Sequence, residues 1–367
     1  ANDVGKTGSH QYGYYLPTEP WRVFTKNPPE KGRLFKEEVR ILWQNGRTTD
    51  SVVTWYGRKT RSEYRLTRFG KGFPWLTDSN IGSLLVLVPS GEGKMLGWVI
   101  EQEDDIAEIQ AVVNMRPGST WGTLPFEKEP MAALDDPLSQ AFCDFAGGIR
   151  EFPPVDVFSS FVLETIRRTD RGFNHLSRDD QLLLLLNNEY ELFKMAETHL
   201  YGKQIGAGFP TMETFLSLAN SILNRRKSRA GRSLENHVDF ILNDSIVPHE
   251  MRPKNIRGEP DVVFPSAEAY CSPDYPASKL IVMAVKTTCK DRWRQVLNEA
   301  PRVPKKFILT TQPGISRTQL CEMHDAGVSL VVPEQIHSAY PKTGHNLEIF
   351  TLGDFIQHVS DTLGLKR

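Results

Sequence analysis

The apolar and polar residues of the chain follow two different periods, one in each half. Up to about residue 125, short runs of β-branched and aromatic residues are separated by turn-forming residues, which predicts strands in a barrel or sandwich. The predicted strands cover residues 12–16, 39–43, 52–56, 84–88 and 97–100. Residues 91–94 lack the spacing of a phosphate-binding loop and are predicted to form the hairpin turn between the last two strands.

From residue 155 onward the apolar residues recur at helical spacing, which predicts amphipathic helices. The first three cover residues 158–168, 178–203 and 211–226. Gly231 is predicted to end a helix, and Ser233 to cap the next one with Glu235 in its first turn. Strands and helices then alternate, which is typical of an α/β domain with a mixed sheet. The predicted strands cover residues 260–265, 280–285, 306–311 and 328–333, and the predicted helices 316–326 and 352–363.

Prolines interrupt the stretch between the two halves, and no period is visible there. Residues 129–154 are therefore predicted to be an interdomain linker with one short helix at residues 138–145. The predicted organisation is an N-terminal β domain at residues 1–128 and a C-terminal α/β domain at residues 155–367, and a chain of 367 residues suits two domains.

The strand at residues 280–285 ends on a charged residue, Lys286, and a helical pattern follows it. That pattern separates apolar residues from a polar face. The polar face carries Arg292, Gln295 and Glu299. A lysine at the end of a core strand beside a carboxylate suits a catalytic site, and it equally suits a βα unit in which the lysine only marks the strand end.

Two carboxylates from different elements, Asp261 and Glu299, can hold Mg²⁺ through oxygen ligands, and Glu235 can add another. Lys286 can orient or deprotonate an attacking water and stabilise charge on a phosphate. Together these groups have the chemistry of metal-assisted phosphodiester hydrolysis. The arrangement resembles the PD-(D/E)xK nucleases, except that Ala284 stands two residues before Lys286, where those enzymes have an acid.

Charge composition limits nucleic-acid binding to local clusters, because 44 basic and 45 acidic residues give a net charge of -1. One cluster, residues 58–71, holds six cations and one carboxylate, with Tyr64 and Phe69 between them. It suits contacts to phosphates and guanine edges, or alternatively a solvated edge strand. A second cluster, residues 225–232, suits a helix C-terminus or a phosphate-binding patch.

Other classes of protein are disfavoured by what the sequence lacks. No run of about 18 apolar residues is present to span a bilayer, and no signal peptide is expected. The four cysteines are scattered, which favours a reducing cytoplasm. Neither zinc-ligand spacing nor a phosphate-binding loop occurs, so no zinc site and no nucleotide cofactor are predicted.

Three strings in the second half resemble the EcoRII family of restriction endonucleases. They are residues 224–231 (NRRKSRAG), 264–267 (FPSA) and 284–294 (AVKTTCKDRWR). That family has a carboxylate displaced from the strand, which explains Ala284. The resemblance implies a restriction-endonuclease-like α/β domain of the PD-(D/E)xK type.

The same resemblance implies roles for individual residues of this domain. The implied catalytic residues are Asp261, Lys286, Glu299 and Tyr270. The implied ligands of Mg²⁺ are Asp261, Glu299 and Glu235. The implied readers of the CC/GG base pairs are Lys290, Asp291 and Arg292. Their chemistry agrees, because Arg and Lys suit guanine acceptors and Asp suits the cytosine amino group.

The first half resembles the N-terminal domain of the same family, a pseudobarrel of the type found in plant transcription factors that binds DNA as an effector module. The matches cluster at residues 1–17 and 59–65. The implied DNA contacts are His10, Tyr15, Lys59, Arg61, Glu63 and Arg65. Tyr64 departs from the family, where a lysine stands at this position.

Residues and resemblance together predict a Mg²⁺-dependent type II restriction endonuclease that hydrolyses double-stranded DNA at a short palindrome with CC/GG outer pairs, similar to CCWGG. A palindromic site predicts a homodimer. The family also implies that the N-terminal domain occludes the catalytic cleft until a second DNA copy binds. Residues 185–190 lack the arginine-rich run that lies near the family's base-flipping pocket, so the central base preference does not carry over. The alternatives are a DNA-binding regulator with an inactive nuclease domain and a nuclease without sequence choice.

Overall fold

A computed structural model describes residues 12–18, 21–26, 30–57, 62–115, 121–122, 136–290, 292–340 and 349–365. Within these ranges the chain forms two six-stranded sheets, one in each half, with a layer of long helices between them in sequence. No helix in the described ranges is long and apolar enough to cross a membrane.

The first sheet is built from six strands in the order β1-β4-β3-β2-β6-β5. They are β1 (Tyr14–Leu16), β2 (Leu34–Trp43), β3 (Thr48–Tyr56), β4 (Glu63–Thr67), β5 (Leu84–Gly91) and β6 (Lys94–Ile100). Only the β2–β6 pair is parallel among these neighbours. Aromatic rings fill its core, with Trp43 and Phe69 both packed on Phe73 at centroid distances of 4.8 and 4.6 Å. The five predicted strands and the β5–β6 hairpin are confirmed.

Strand β4 corrects the interpretation of the basic cluster as a solvated edge strand. It pairs with β1 on one side and β3 on the other, so it lies inside the sheet. Tyr64, Arg65 and Leu66 are buried there. Composition suggested an edge because cations are common on edges, but pairing on both sides is a long-range property that a local pattern does not carry.

Two helices accompany the first sheet, α1 (Trp21–Phe24) and α2 (Glu103–Val112). Helix α2 follows β6 and was not predicted. Its first turn carries Glu103, Asp104 and Asp105, which complement the positive end of the helix dipole. It packs Ile106 inward and lies between the two halves of the protein.

The helical layer consists of α3 (Pro137–Gly148), α4 (Val155–Thr169), α5 (Arg178–Ala207) and α6 (Met212–Asp244). Helix α3 is capped by Asp136, which accepts hydrogen bonds from the backbone of Leu138 and Ser139. Its Phe142 and Ala146 are buried among side chains of α4 and α5. The predicted linker helix therefore exists and packs with the second half.

The predicted break at Gly231 and Ser233 is wrong, because α6 runs without interruption from Met212 to Asp244. Beyond the glycine, Leu234 and Val238 continue the buried stripe of the helix. Burying each such side chain contributes roughly 1.5–3 kcal/mol, which outweighs the cost of about 1 kcal/mol for glycine in a helix. Glu235 consequently lies inside a helix and not in a first turn.

The second sheet has the strand order β12-β11-β10-β9-β8-β7. Its strands are β7 (Glu250–Met251), β8 (Val262–Phe264), β9 (Ile281–Lys286), β10 (Lys306–Thr310), β11 (Val328–Val331) and β12 (Ile349–Phe350). Its helices are α7 (Ala267–Cys271), α8 (Trp293–Val296), α9 (Arg317–Asp325) and α10 (Leu352–Leu363). Strands β9 to β12 are parallel, and β7 to β9 antiparallel. Helices α6 and α10 cover one face of the sheet and α8 and α9 the other, which confirms the α/β prediction.

Candidate active site

The end of β9 brings Lys286 beside Asp261. Strands β8 and β9 run antiparallel with Val262 opposite Met283. Asp261, the residue before β8, therefore lies beside the C-terminal end of β9. Lys286 Nζ lies 2.8 Å from Asp261 Oδ2, and the same oxygen accepts a hydrogen bond of 2.7 Å from the backbone N–H of Val285. The lysine is therefore held by a carboxylate at the C-terminal end of β9, and its catalytic role stays a prediction.

Glu299 joins this pair from a turn and not from a helix. The predicted helix through residue 299 is wrong, since α8 ends at Val296. The backbone N–H of Ala300 donates to Arg257 O at 2.9 Å, and Ala300 adopts a positive φ of 41°. Gly258 lies directly against Glu299, because a Cβ added there would be 2.7 Å from Glu299 Cα. The helix ends here because the chain turns to meet the segment that precedes Asp261.

Charge and burial shift the acidities of two glutamates at this edge. Burial raises the pKa of Glu299 to about 7, where Asp261 adds to the increase and Lys286 opposes it. Burial likewise raises the pKa of Glu235 to about 6, again with a contribution from the charge of Asp261. Each of the two glutamates is thus repelled by the charge of Asp261, and a bound cation would relieve that repulsion.

The raised pKa of Glu299 predicts a pH-dependent stability. Its ordinary pKa is 4.5, so between about pH 4.5 and pH 7 the folded protein binds more protons than the unfolded chain. Stability contributed by this group is therefore lost as pH rises through that window. Glu299→Gln should raise the Tm of the metal-free protein by a few °C at about pH 8 and leave it unchanged near pH 4.

Thermal unfolding in a chelator at several pH values checks this expectation. Glu268→Gln, at an exposed glutamate of α7, is the matched control and should give the same Tm difference at every pH. If the Tm difference between Glu299→Gln and the wild type does not grow with pH, burial does not raise the pKa of Glu299.

Glu235 is accompanied by two guanidinium groups. Its Oε2 lies 3.2 Å from Arg232 NH1 and 3.3 Å from Arg252 NH1. These arginines offset the charge that Glu235 brings toward Asp261. Glu235 remains a predicted metal ligand, with two competitors for the same oxygen.

The residues at the strand end fit a divalent cation such as Mg²⁺. Carboxylate oxygens are the ligands that this ion prefers, and one or two protein carboxylates with several waters are its usual set. Asp261 and Glu299 supply two such groups. In the part of the chain that the structure describes, no cluster of three or more His, Cys, Asp or Glu side chains is arranged around a metal position. Mg²⁺ would thus be held by Asp261, Glu299 and water, and Glu235 stays the predicted additional ligand.

Tyr270 lies in α7, the short helix that follows β8. Its hydroxyl accepts a hydrogen bond from the backbone N–H of Arg302 at 3.3 Å, and its carbonyl accepts one from the Arg302 guanidinium. The same guanidinium binds the carbonyls of Ser272 and Tyr275. The contacts of Tyr270 therefore connect α7 to Arg302, and its catalytic role stays a prediction.

The predicted base-reading segment follows β9 and is fixed by side-chain amides. Gln312 Oε1 accepts hydrogen bonds from the backbone N–H groups of Cys289 and Lys290 at 2.6 and 3.0 Å. Gln319 Nε2 donates to Lys290 O at 3.2 Å. The sequence pattern did not single out these two glutamines. Asp291 lies outside the described residues.

Lys290 and Arg292, the two predicted base-reading residues that the structure describes, both contact the first half of the protein. Lys290 is only 6% exposed, and its Nζ lies 3.3 Å from Ser83 Oγ and 3.5 Å from Glu101 O. Arg292 forms ion pairs with two acids of α2, Glu103 at 3.7 Å and Asp104. The cations that are expected to read DNA are thus engaged by the protein itself.

The basic cluster at residues 225–232 also meets α2. Arg226 NH1 donates to the carbonyls of Ala111 and Val112 at 2.7 and 3.1 Å, at the end of α2. Lys227 Nζ lies 3.7 Å from Glu108. Because α6 continues through the cluster, the interpretation as a helix C-terminus is wrong, and the phosphate-binding interpretation stays a prediction.

The predicted effector contacts are described only in part. His10, Lys59 and Arg61 lie outside the described residues. Tyr15 is half-exposed, whereas Arg65 is only 6% exposed and donates to Gly13 O at 3.3 Å. Arg65 also lies 3.6 Å from Glu63 and under the ring of Tyr15. The guanidinium of Arg65 thus packs against Tyr15 and Glu63 and is buried away from solvent.

A mixed sheet between helical layers, with an Asp–Lys pair at a strand end and a second carboxylate on a neighbouring turn, is typical of PD-(D/E)xK nucleases. The solved structure of metal-depleted Ecl18kI in complex with uncleaved, modified DNA shares this fold. Its TM-score is 0.50 at 16% identity, covering 61% of this chain and 84% of that chain.

The chain belongs to the EcoRII family of type II restriction enzymes. The model of the EcoRII N-terminal domain matches residues 1–126, and that of the EcoRII C terminal domain matches residues 193–356. The type II restriction enzyme EcoRII of Escherichia coli is 31% identical over 398 residues, covering 98% of this chain and 92% of the relative. The type II restriction enzyme SsoII of Shigella sonnei is 25% identical over 160 residues, covering 41% of this chain and 50% of the relative. The predicted family, fold class and enzyme class, a site-specific DNA endonuclease, are confirmed.

Proposed function

We propose that this restriction endonuclease is Mg²⁺-dependent and hydrolyses double-stranded DNA at a short palindrome with CC/GG outer pairs, similar to CCWGG. The observation that carries the proposal is the strand-end pair of Lys286 and Asp261 at 2.8 Å. Glu299 lies close enough for the charges of both residues to act on its pKa. Restriction endonucleases generally use a divalent metal. The donor set here consists of carboxylate oxygens, which suit Mg²⁺, as they do Ca²⁺ and Mn²⁺, better than softer ions such as Zn²⁺ or Cu²⁺.

Each residue of the site has a defined task in this reaction. Asp261 and Glu299 would hold Mg²⁺, which when bound polarises the phosphate and acidifies a water. Lys286 points its ammonium from the strand end, where it orients the attacking water and stabilises negative charge on the phosphate. Asp261 also fixes Lys286, so this one carboxylate would contact both the metal and the lysine. Glu235 adjusts the charge of the site from α6, and Tyr270 connects α7 to Arg302.

Base reading is assigned to the segment that leaves β9. Lys290 and Arg292 suit the acceptors of guanine, and Asp291 suits the amino group of cytosine. Gln312 fixes the backbone from which these side chains start. Since the segment follows Lys286 directly, recognition and hydrolysis lie on one rigid unit. A palindromic site then calls for two copies of the chain related by a two-fold axis.

The first half would regulate this site. Its Ser83, Glu103 and Asp104 contact the base-reading cations in the described arrangement, so DNA has to displace α2 before it is read. An effector DNA on the first half would favour that displacement, which is a coupling between two sites. The proposed effector contacts are His10, Tyr15, Lys59, Arg61 and Glu63, with Arg65 supporting them. The proposed domains are residues 1–128 and 155–367, joined by 129–154.

All four cysteines are free thiols in the structure. This agrees with a protein that works in a reducing compartment, and we place the enzyme in the cytoplasm.

Sequencing of cleaved ends tests the proposed function. The full-length protein is incubated with Mg²⁺ and a plasmid of known sequence, with a chelator in the control reaction. Discrete ends at one CC/GG-flanked motif are expected. Random ends would indicate a nuclease without sequence choice, and DNA binding without any cleavage would indicate a regulator with an inactive nuclease domain.

A further inference from the structure

We propose that Gly258 and Lys306 are positioning residues that set Glu299 beside Asp261. The inference rests on the proposed function, because it takes Asp261 and Glu299 as the pair that holds Mg²⁺. It explains how a carboxylate that does not come from the central strand reaches a defined place.

Strand β9 lacks an acidic residue next to Lys286, because Ala284 stands two residues before the lysine. Ala284 and Lys286 point to the same side of β9, since side chains alternate along a strand. Ala284 carries a methyl group and is buried, so the strand supplies no acid two residues before the lysine. Glu299 supplies the acid from a turn after α8, and no ladder of sheet hydrogen bonds fixes that turn.

Gly258 provides the first fixed point. It has a φ of +83°, and an added Cβ would lie 2.7 Å from Glu299 Cα, 3.0 Å from Asn298 O and 3.3 Å from Glu299 Cγ. The neighbouring hydrogen bond from Ala300 N to Arg257 O, at 2.9 Å, holds the same two segments together. Because this segment leads directly into Asp261, the contact aligns the backbones that carry the two carboxylates.

Lys306 provides the second fixed point. It is the first residue of β10 and is only 3% exposed. Its Nζ donates to Ala300 O at 2.7 Å and to Val303 O, so it closes the turn that follows Glu299. Strand β10 pairs with β9, which places Thr310 opposite Lys286. Lys306 therefore ties the turn to the same sheet that carries the catalytic lysine, and its charge also acts on Glu299.

A purely structural role would predict a different outcome from a positioning role. Loss of structure lowers stability and DNA affinity together. Displacement of Glu299 by a fraction of an ångström weakens metal binding and slows hydrolysis, while the base-reading segment, held by Gln312, still binds DNA. The two roles are therefore separated by comparing metal affinity and rate with DNA affinity.

Gly258→Ala tests the first fixed point against a control with a similar positive φ. Gly208 has a φ of +81° with nothing within 4 Å of an added Cβ, so Gly208→Ala places a side chain at a positive φ without the contact. Gly258→Ala should slow single-turnover cleavage roughly 10- to 100-fold and raise the Mg²⁺ concentration for half-maximal rate, because small misplacements of reacting groups have effects of this size. Calorimetry with Ca²⁺ should show weaker metal binding by the DNA complex. Gly208→Ala should match the wild type in all these measurements.

Lys306→Met and Lys306→Arg test the second fixed point. Lys306→Met removes the donors and should reproduce the loss of metal affinity and rate, whereas Lys306→Arg keeps charge and donors and should restore part of both. DNA affinity in Ca²⁺ should stay within about twofold of the wild type for each variant. Wild-type rate and metal dependence in both Gly258→Ala and Lys306→Met would overturn the proposal, and so would equal losses of DNA affinity and rate.

Glu299→Gln separates the positioning role of Gly258 and Lys306 from the proposed function on which it rests. If Glu299→Gln cleaves at the normal rate, the assignment of Glu299 to the metal is wrong and both proposals fail. If Glu299→Gln is inactive while Gly258→Ala and Lys306→Met behave as wild type, only the positioning role fails.

Discussion

Replacing Lys286 by alanine is expected to slow Mg²⁺-dependent cleavage by roughly 10²- to 10⁴-fold while DNA affinity stays within about twofold. The ammonium lies 2.8 Å from Asp261, a proposed metal ligand, whereas the groups assigned to DNA reading start four residues later. Its loss removes the group that orients water and stabilises phosphate charge. Single-turnover cleavage, with binding measured separately in Ca²⁺, gives the two quantities.

Lys279→Ala is the matched control for this experiment. Lys279 is an exposed lysine in the short turn Ala277–Lys279 that leads into the same strand, and its removal changes the net charge equally. It should cleave at the normal rate. A normal rate in Lys286→Ala would remove Lys286 from the mechanism, and a parallel loss of DNA affinity would make it a binding residue.

The pair of Asp261 and Lys286 could be predicted from the sequence, but the element that carries Glu299 could not. An aspartate leading a short strand and an apolar run ending on lysine are local patterns, and both survive in the structure. The pattern of residues 293–300 fits a helix equally well, yet the chain leaves the helix after Val296. The contact between Gly258 and Glu299 decides this, and a contact between distant segments leaves no mark on the local period.

Helix α6 shows the same limit from the opposite side. A glycine followed by a serine and an acid is a valid signal for a helix end and a new cap. Here Arg229 is buried against Glu189 at 3.2 Å, and the apolar stripe continues past Gly231, so packing holds one long helix through the signal. The correct position of Glu235, near Asp261, depends on that continuity.

The contacts between the two halves are the part that the sequence indicated least. The acids at the start of α2 suit the dipole of any helix, so nothing local marks Asp104 as the partner of Arg292, 188 residues away. The sequence suggested that Lys290 would be exposed to DNA. In the structure Lys290 is buried, and its partners are Ser83 and the carbonyl of Glu101. Those contacts are what make regulation by the first half a physical proposal.

Asp104→Lys should increase cleavage of DNA that carries a single recognition site about five- to tenfold, at the lower end of typical coupling between sites. The change replaces an ion pair with Arg292 by repulsion from Arg292 and Lys290, which weakens the closed arrangement. The effect stays modest because the carboxylate is largely exposed. The rate on a one-site duplex, with and without a second effector duplex, is the measurement. Stimulation by the effector should shrink in the variant, because part of the block is already removed.

Asp105→Lys is the control, since it changes the same charge on the next residue of α2, which is exposed. A purely electrostatic attraction of DNA to a more basic surface would accelerate both variants equally, whereas relief of the block accelerates Asp104→Lys alone. The difference should also fade in about 1 M salt, where the screening length falls to about 3 Å. Equal rates in the two variants at low salt would show that the ion pair between Asp104 and Arg292 does not hold the cleft closed. The regulatory role would then have to rest on the hydrogen bonds of Lys290 and Arg226 to neutral groups of the first half.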